Sequence, residues 1–182
     1  MTETTEKSLE AGDTRSERSV TLSTPAAKAF CSIERTVGIV GDRWTLLILR
    51  ELLTRGATRF GELTKTLGIA PNILTNRLDL LTRSGVVEKR EYRQAGSRTR
   101  MAYHPTDAGR ELLVVLAALG QWGDDHIPPA DGVSQTREIS ETGEPVRIGF
   151  VTDPSVLVPP ENVALVYTPE GAARMKASGL TD

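Results

Sequence analysis

Aromatic side chains make up only 4% of this 182-residue chain, so a base-stacking platform for single-stranded nucleic acid has little to build on. Cysteine occurs once, at Cys31, which excludes an intrachain disulfide and a multi-cysteine zinc site and fits a reducing compartment. The two histidines, His104 and His126, stand alone, and we assign no metal and no cofactor. No apolar run approaches the roughly 20 residues a membrane helix needs, and residues 1–10 lack the basic start and apolar stretch of a secretory signal. The expectation is a cytoplasmic protein with no membrane partner. No Gly-rich phosphate loop follows a strand and no nucleophile motif is present, so an enzyme is not expected. Asp124 and Asp125 read as solvated acids near a helix end. What remains is ordinary for a globular protein: 38% hydrophobic and 25% charged residues. A chain of this length buries roughly 70% of its unfolded surface, enough for one domain with extensions.

The net charge of −2 conceals a partition. Residues 28–110 hold 15 Lys and Arg against 8 Asp and Glu, and 12 of the 15 are Arg. Residues 111–182 hold 4 against 11. A compact basic segment is the electrostatic footprint expected for phosphate, and Arg suits bidentate phosphate or guanine contact. An ordinary solvated surface is the alternative that charge alone leaves open.

Residues 1–24, rich in Thr, Ser and Glu, are expected to form a disordered arm. Ala29, Ile33, Val37 and Val40 recur at helical spacing and predict a first helix over 25–40. Asp42 is a candidate N-cap for a second helix ending near Gly56, with Trp44, Leu47, Ile48 and Leu52 on one face. Thr58 is a candidate cap for a short third helix that turns Phe60, Leu63 and Leu67 inward and closes at Gly68. Pro71 opens a fourth helix running to Ser84, whose Leu74, Leu78 and Leu81 form an apolar stripe. Its other face is Asn72, Thr75, Asn76, Asp79 and Arg83. Residues 86–93 and 98–104 then predict a two-stranded hairpin with a basic tip. Thr106 caps a predicted long fifth helix to about His126, apolar on more than one side, which implies a partner chain. Beyond Ala130, residues 137–142 and 145–152 predict a second hairpin, with a further strand over 163–167.

Four helices, a hairpin and a helix make an α+β, mainly α chain with the element order of a winged helix-turn-helix. A long dimerisation helix and a small β-containing C-terminal extension complete it. The domains expected are the arm at 1–24, a winged-helix domain at 25–127 and an acidic extension at 128–182. The third and fourth helices form the helix-turn-helix pair, the second member lying in the major groove. Asn72, Thr75 and Asn76 then face base edges, where an amide pairs with adenine and Thr with several bases. Arg59 belongs to the same basic surface, and Arg77 lies at its boundary within reach of a phosphate or a guanine. In the hairpin, Arg93, Arg98 and Arg100 flank the adjacent minor groove or its phosphates.

The segments CSIERTVGIVGDRWTLLIL (31–49), RFGEL (59–63), PNILTNRLDLL (71–81), GVV (85–87) and YHPTDAG (103–109) closely resemble HxlR-type transcriptional regulators of the MarR superfamily. The resemblance spans residues 30–126, about half the chain. It implies a homodimeric winged-helix DNA-binding regulator whose first and last helices form the dimer interface. The hairpin here lacks the proline that often accompanies the family's wing. In some members a cysteine at the place of Cys31 senses oxidants, and Arg35 one turn away would favour its thiolate. A buried small hydrophobe is the commoner role of a cysteine, and both roles stay open. Some members carry a Cys-x-x-Cys-Gly-Glu knuckle in the tail. Here Gly143 and Glu144 stand without either cysteine, so a zinc ribbon is not available.

The leading expectation is a sequence-specific regulator that binds double-stranded DNA as a homodimer on a palindromic operator. The alternative is a winged-helix module for protein or ligand interaction that does not bind DNA. A cleft between the long helix and the DNA-binding core is the default place for a small-molecule effector, though no polar constellation marks it.

Overall fold

Asp42 opens the packed part of the chain. In the computed structural model its Oδ1 accepts from the N–H of Trp44 at 2.9 Å and of Thr45 at 3.4 Å, satisfying two groups that a helix start leaves without intrahelical acceptors. The structure describes residues 32–92, 100–133, 135–149, 158 and 163–177. The expected arm at 1–24 and the first part of the first helix lie outside them.

Helix α1 (Ser32–Val40) precedes this cap and α2 (Arg43–Arg55) follows it. Ile48, Leu49 and Leu52 of α2 are fully buried, and Ile39 and Val40 close the inner end of α1. Ile33 and Val37, expected on one face with Val40, are exposed instead. Strand β1 (Thr58–Arg59) leads into α3 (Phe60–Leu67), and α4 (Pro71–Arg83) follows. Thr58 was expected to cap the third helix. It lies in β1, and Arg59 holds the N-cap position, its N–H donating to Glu62 Oε2 at 2.8 Å. The reason is pairing, because Thr58 and Arg59 are drawn into the sheet opposite Tyr103 and Ala102. Gly68 ends α3 at φ 61°, its N–H donating to Thr64 O at 3.0 Å. That left-handed turn suits a residue without Cβ and lets α4 leave sharply.

Strands β2 (Val87–Tyr92) and β3 (Arg100–Pro105) form the expected hairpin, in register from Val87 opposite Pro105 to Tyr92 opposite Arg100. With β1 they make an antiparallel sheet of order β1-β3-β2. Val86, Val87 and Tyr103 join Leu63, Ile69, Leu74, Leu78 and Leu81 in one apolar core with α2. Fully burying each large aliphatic side chain is worth about 1.5–3 kcal/mol, so this core binds the three-helix unit to its sheet.

Thr106 caps the next helix as expected, accepting from the N–H of Gly109 at 3.1 Å while its hydroxyl donates to Gly85 O at 2.7 Å. The expected single helix to His126 is two, α5 (Asp107–Glu111) and α6 (Leu113–His126). Leu112 separates them at ψ −10°, with its N–H turned to Gly109 O. At this corner a Cβ on Gly109 would come within 2.1 Å of Val86 O, so the chain must pass against β2 before α6 can start.

Strands β4 (Gln135–Ile139) and β5 (Val163–Tyr167) pair antiparallel, followed by α7 (Pro169–Ala177). The expected hairpin of 137–142 with 145–152 is corrected in part. The turn exists, with Gly143 at φ 71° and Ile139 N–H donating to Glu144 O at 2.9 Å. Past it, the return is an isolated bridge between Glu138 and Pro145 and a bond from Val146 N–H to Arg137 O. The full ladder of β4 goes to β5. Pro145 sits opposite Glu138 between those two bonds, where a strand residue turns its nitrogen away from its partner, so the short return takes one edge of β4 and β5, a run of β-branched and apolar residues, takes the other.

This region docks on α6. Arg137 crosses the helix at Gly120, where a Cβ would meet its Nη1 at 3.2 Å, and reaches Asp124 at 2.8 Å. Asp125 pairs with Arg147. The two acids read as solvated are therefore anchors.

Candidate nucleic-acid interface

Helix α4 is sorted by its own periodicity. Leu74, Leu78 and Leu81 have no exposed surface, and their i, i+4, i+7 spacing turns Asn72, Thr75 and Asn76 to solvent. The side chains of Asn72 and Asn76 make no hydrogen bond within the described residues. Each amide is left with both donor and acceptor available. Thr75 Oγ1 donates back to Pro71 O at 2.9 Å, which leaves its lone pairs and methyl group outward. At the start of α4 no side chain caps the helix, since Ala70 holds the N-cap position and Pro71 the first turn. The N–H groups of Asn72 and Ile73 thus face out of a positively polarised end, which favours a phosphate nearby.

Of the other two residues of the expected polar face, one is engaged and one is not. Asp79 accepts from Lys89 Nζ at 3.2 Å, tying α4 to β2, and Arg83 is exposed at the last turn. Arg77 is turned sideways, with Nη2 donating to Asp42 Oδ2 at 2.9 Å and Nε buried without a partner.

Arg59 and Arg100 lie together on the sheet side of α3. They line an open groove of about 550 Å³ with Phe60, Gly61, Glu62, Tyr92, Met101 and Tyr103. The Arg59 guanidinium stacks 4.7 Å above the Tyr92 ring and stands 3.6 Å from the Glu62 carboxylate. Arg100 is exposed opposite Tyr92. One cation stacked on an aromatic ring, with a second lining the same groove, forms a surface suited to a sugar-phosphate backbone. Arg93, Arg98 and Cys31 lie outside the described residues.

Sequence reasoning missed three participants: Lys89, the Tyr92 platform and Asp42 as partner of Arg77. For Asp42 a signal existed, because an N-capping carboxylate uses one oxygen and leaves the second for a cation. Glu51 was missed as well. It is buried on α2, with Oε1 accepting from Arg50 Nη2 at 2.6 Å and Oε2 lying 3.0 Å from Arg55 Nε. Among the described residues no group of three or more His, Cys, Asp or Glu is placed to hold a metal. No helix of the described residues is long and apolar enough to cross a membrane.

A helix pair joined by a left-handed glycine, backed by a three-stranded wing sheet, is a winged helix-turn-helix. The family model described as HxlR-like helix-turn-helix matches residues 39–131. The chain belongs to the HxlR-like helix-turn-helix family. It is similar to an uncharacterized HTH-type transcriptional regulator of Mycobacterium tuberculosis, at 41% identity over 101 residues, 56% of this chain and 62% of that one. It therefore spans less than two thirds of that relative's length. It is also similar to the uncharacterized HTH-type transcriptional regulator YdeP of Bacillus subtilis, at 30% identity over 112 residues, 61% of this chain and 85% of that one. The crystal structure of PA1607, named as a candidate transcription factor, superposes with a TM-score of 0.61 at 36% identity, over 72% of this chain and 90% of that one. The HxlR-like match reaches beyond α6 but ends before β4, so the docked C-terminal sheet lies outside it.

Proposed function

We propose that this HxlR-like chain is a transcriptional regulator that binds double-stranded DNA sequence-specifically, as a homodimer on a palindromic operator. The observation that carries the reading is the face of α4: three leucines buried, and two amides and a hydroxyl presented outward with no internal partners for the amides. In the major groove Asn72 and Asn76 pair with base edges and Thr75 meets a base or a thymine methyl. Arg59 and Arg100 hold the flanking backbone, and the basic residues of the hairpin tip, Arg93 and Arg98, extend that contact.

The dimer reading rests on exposed apolar surface. Val114, Val115, Leu119 and Trp122 of α6 and Ile33 and Val37 of α1 are large hydrophobic residues open to solvent. Large apolar side chains left open along one helix, as the four of α6 are, favour a protein partner. A two-fold pair would place its α4 helices in successive major grooves, roughly 34–36 Å apart.

A fluorescence-anisotropy titration of the full chain against duplexes selected from genomic fragments, at two salt concentrations, tests the reading. Affinity should fall steeply as salt rises, because phosphate contacts release counterions. Binding that is insensitive to salt, or no duplex affinity at low salt, overturns it.

A further inference from the structure

We infer that Arg77 is a positioning residue, which sets the base-reading rotation of α4 through Asp42 rather than touching DNA itself. The inference rests on the DNA-binding reading above and adds a specificity determinant to it.

Leu74, Leu78 and Leu81, with the half-buried Ile73, seat α4 on the core, and the exposed Asp79–Lys89 pair ties its outer side to β2. Apolar packing of this kind is non-directional, so alone it tolerates small rotations of the helix about its axis. The bond from Arg77 Nη2 to Asp42 Oδ2, at 2.9 Å and 35 residues apart in the chain, is directional and charge-assisted. Its acceptor is itself fixed, because Asp42 Oδ1 is held by the first turn of α2 through Trp44 and Thr45. One carboxylate therefore starts one helix and sets the angle of the other. Side-chain tips on a helix lie about 5–6 Å from its axis, so a 20° rotation carries the Asn76 amide about 2 Å. That is several times the roughly 0.5 Å width of the 2.7–3.2 Å window in which an N–H···O bond forms.

The same geometry argues against direct DNA contact. The guanidinium is engaged on one edge by Asp42, and its Nε is buried. A phosphate reached through Nη1 would compete with the Asp42 carboxylate for the guanidinium charge and draw Arg77 away from the α2 cap.

The experiment compares Asp42→Asn, Arg77→Ala and the double variant with the unaltered full chain. Asn keeps the N-cap acceptor while removing the charge, so α2 still starts. Each protein is titrated against a selected duplex and an unrelated duplex of equal length across a salt series. Active fraction is fixed by stoichiometric titration, so partial unfolding does not enter the affinities. Positioning predicts that both single variants lower the ratio of specific to non-specific affinity by about 5- to 30-fold, that the double variant is no worse than either, and that the salt slope is unchanged. A DNA contact predicts that Arg77→Ala weakens both duplexes equally and reduces the salt slope by about one, while Asp42→Asn does no harm. That second pattern, or an unchanged specificity ratio in Asp42→Asn, overturns the inference. If the unaltered chain binds neither duplex, the DNA-binding reading falls and takes this one with it.

Discussion

The side-chain amide of Gln121 grips the backbone of Ile148 at both ends. Its Nε2 donates to Ile148 O at 3.0 Å, and Ile148 N–H donates to its Oε1 at 2.8 Å. An amide side chain here imitates a neighbouring strand, and it fastens the segment after the Thr142–Glu144 turn to α6. Arg137 with Asp124 and Arg147 with Asp125 lie on either side of it.

Replacing Gln121 by Ala should loosen this segment without unfolding the helix-turn-helix. Two neutral hydrogen bonds are each worth about 0.5–1.5 kcal/mol, so protection of the Ile148 amide should drop roughly tenfold to a hundredfold in hydrogen exchange. Unchanged exchange at Ile148 would show that the grip is not what holds the segment.

Asn76→Ala and Arg100→Ala should separate reading from holding. Loss of the amide is expected to remove about 1–3 kcal/mol of discrimination at one base pair, seen as relaxed preference among single-substituted operators. Loss of the wing arginine should weaken all duplexes alike and flatten the salt dependence by about one. The opposite assignment of effects would mean that α4 does not lie in the major groove.

Leu119→Asp and Trp122→Asp on the outer side of α6 should shift the chain toward monomer in sedimentation equilibrium. A buried aromatic anchor commonly contributes 2 kcal/mol or more to an interface, so the dissociation constant should rise about 30-fold or more for Trp122→Asp. A chain already monomeric at high concentration would contradict the dimer outright.

Gly109→Ala should destabilise the domain by about 1–3 kcal/mol in urea unfolding, since the new methyl meets the Val86 carbonyl and the backbone must give way. A midpoint equal to that of the unaltered chain would mean that the α5 corner is looser than its geometry.

Features written in neighbouring residues were legible in advance. The start of α2 at Asp42, the cap at Thr106, the stop of α3 at Gly68 and the two-faced α4 all follow from caps, glycines and period, which act within a turn or two. Features that depend on distant partners were not. Strand β1 is two residues that become a strand only because Tyr103 and Ala102 arrive beside them. The break at Leu112 falls three residues after the close passage of Gly109 against Val86, a contact made across the fold. β4 takes β5 along one edge and only a short return at 144–146 along the other, a pairing set by a strand more than twenty residues away. The outward position of Asn72, Thr75 and Asn76 was legible from helical period alone, whereas the engagement of Arg77 by Asp42 required two helices to be folded first.

The break at Leu112 carries a consequence for any twofold pair built on α6. In the dimer proposed above, the turn at Leu112 gives α6 its direction and the packing of Leu112 and Leu116 on the core holds it, so the span between the two α4 helices is set at this corner like the opening of a caliper. Altering that corner would re-space the two α4 helices along a duplex while leaving the outward side chains of α4 in place.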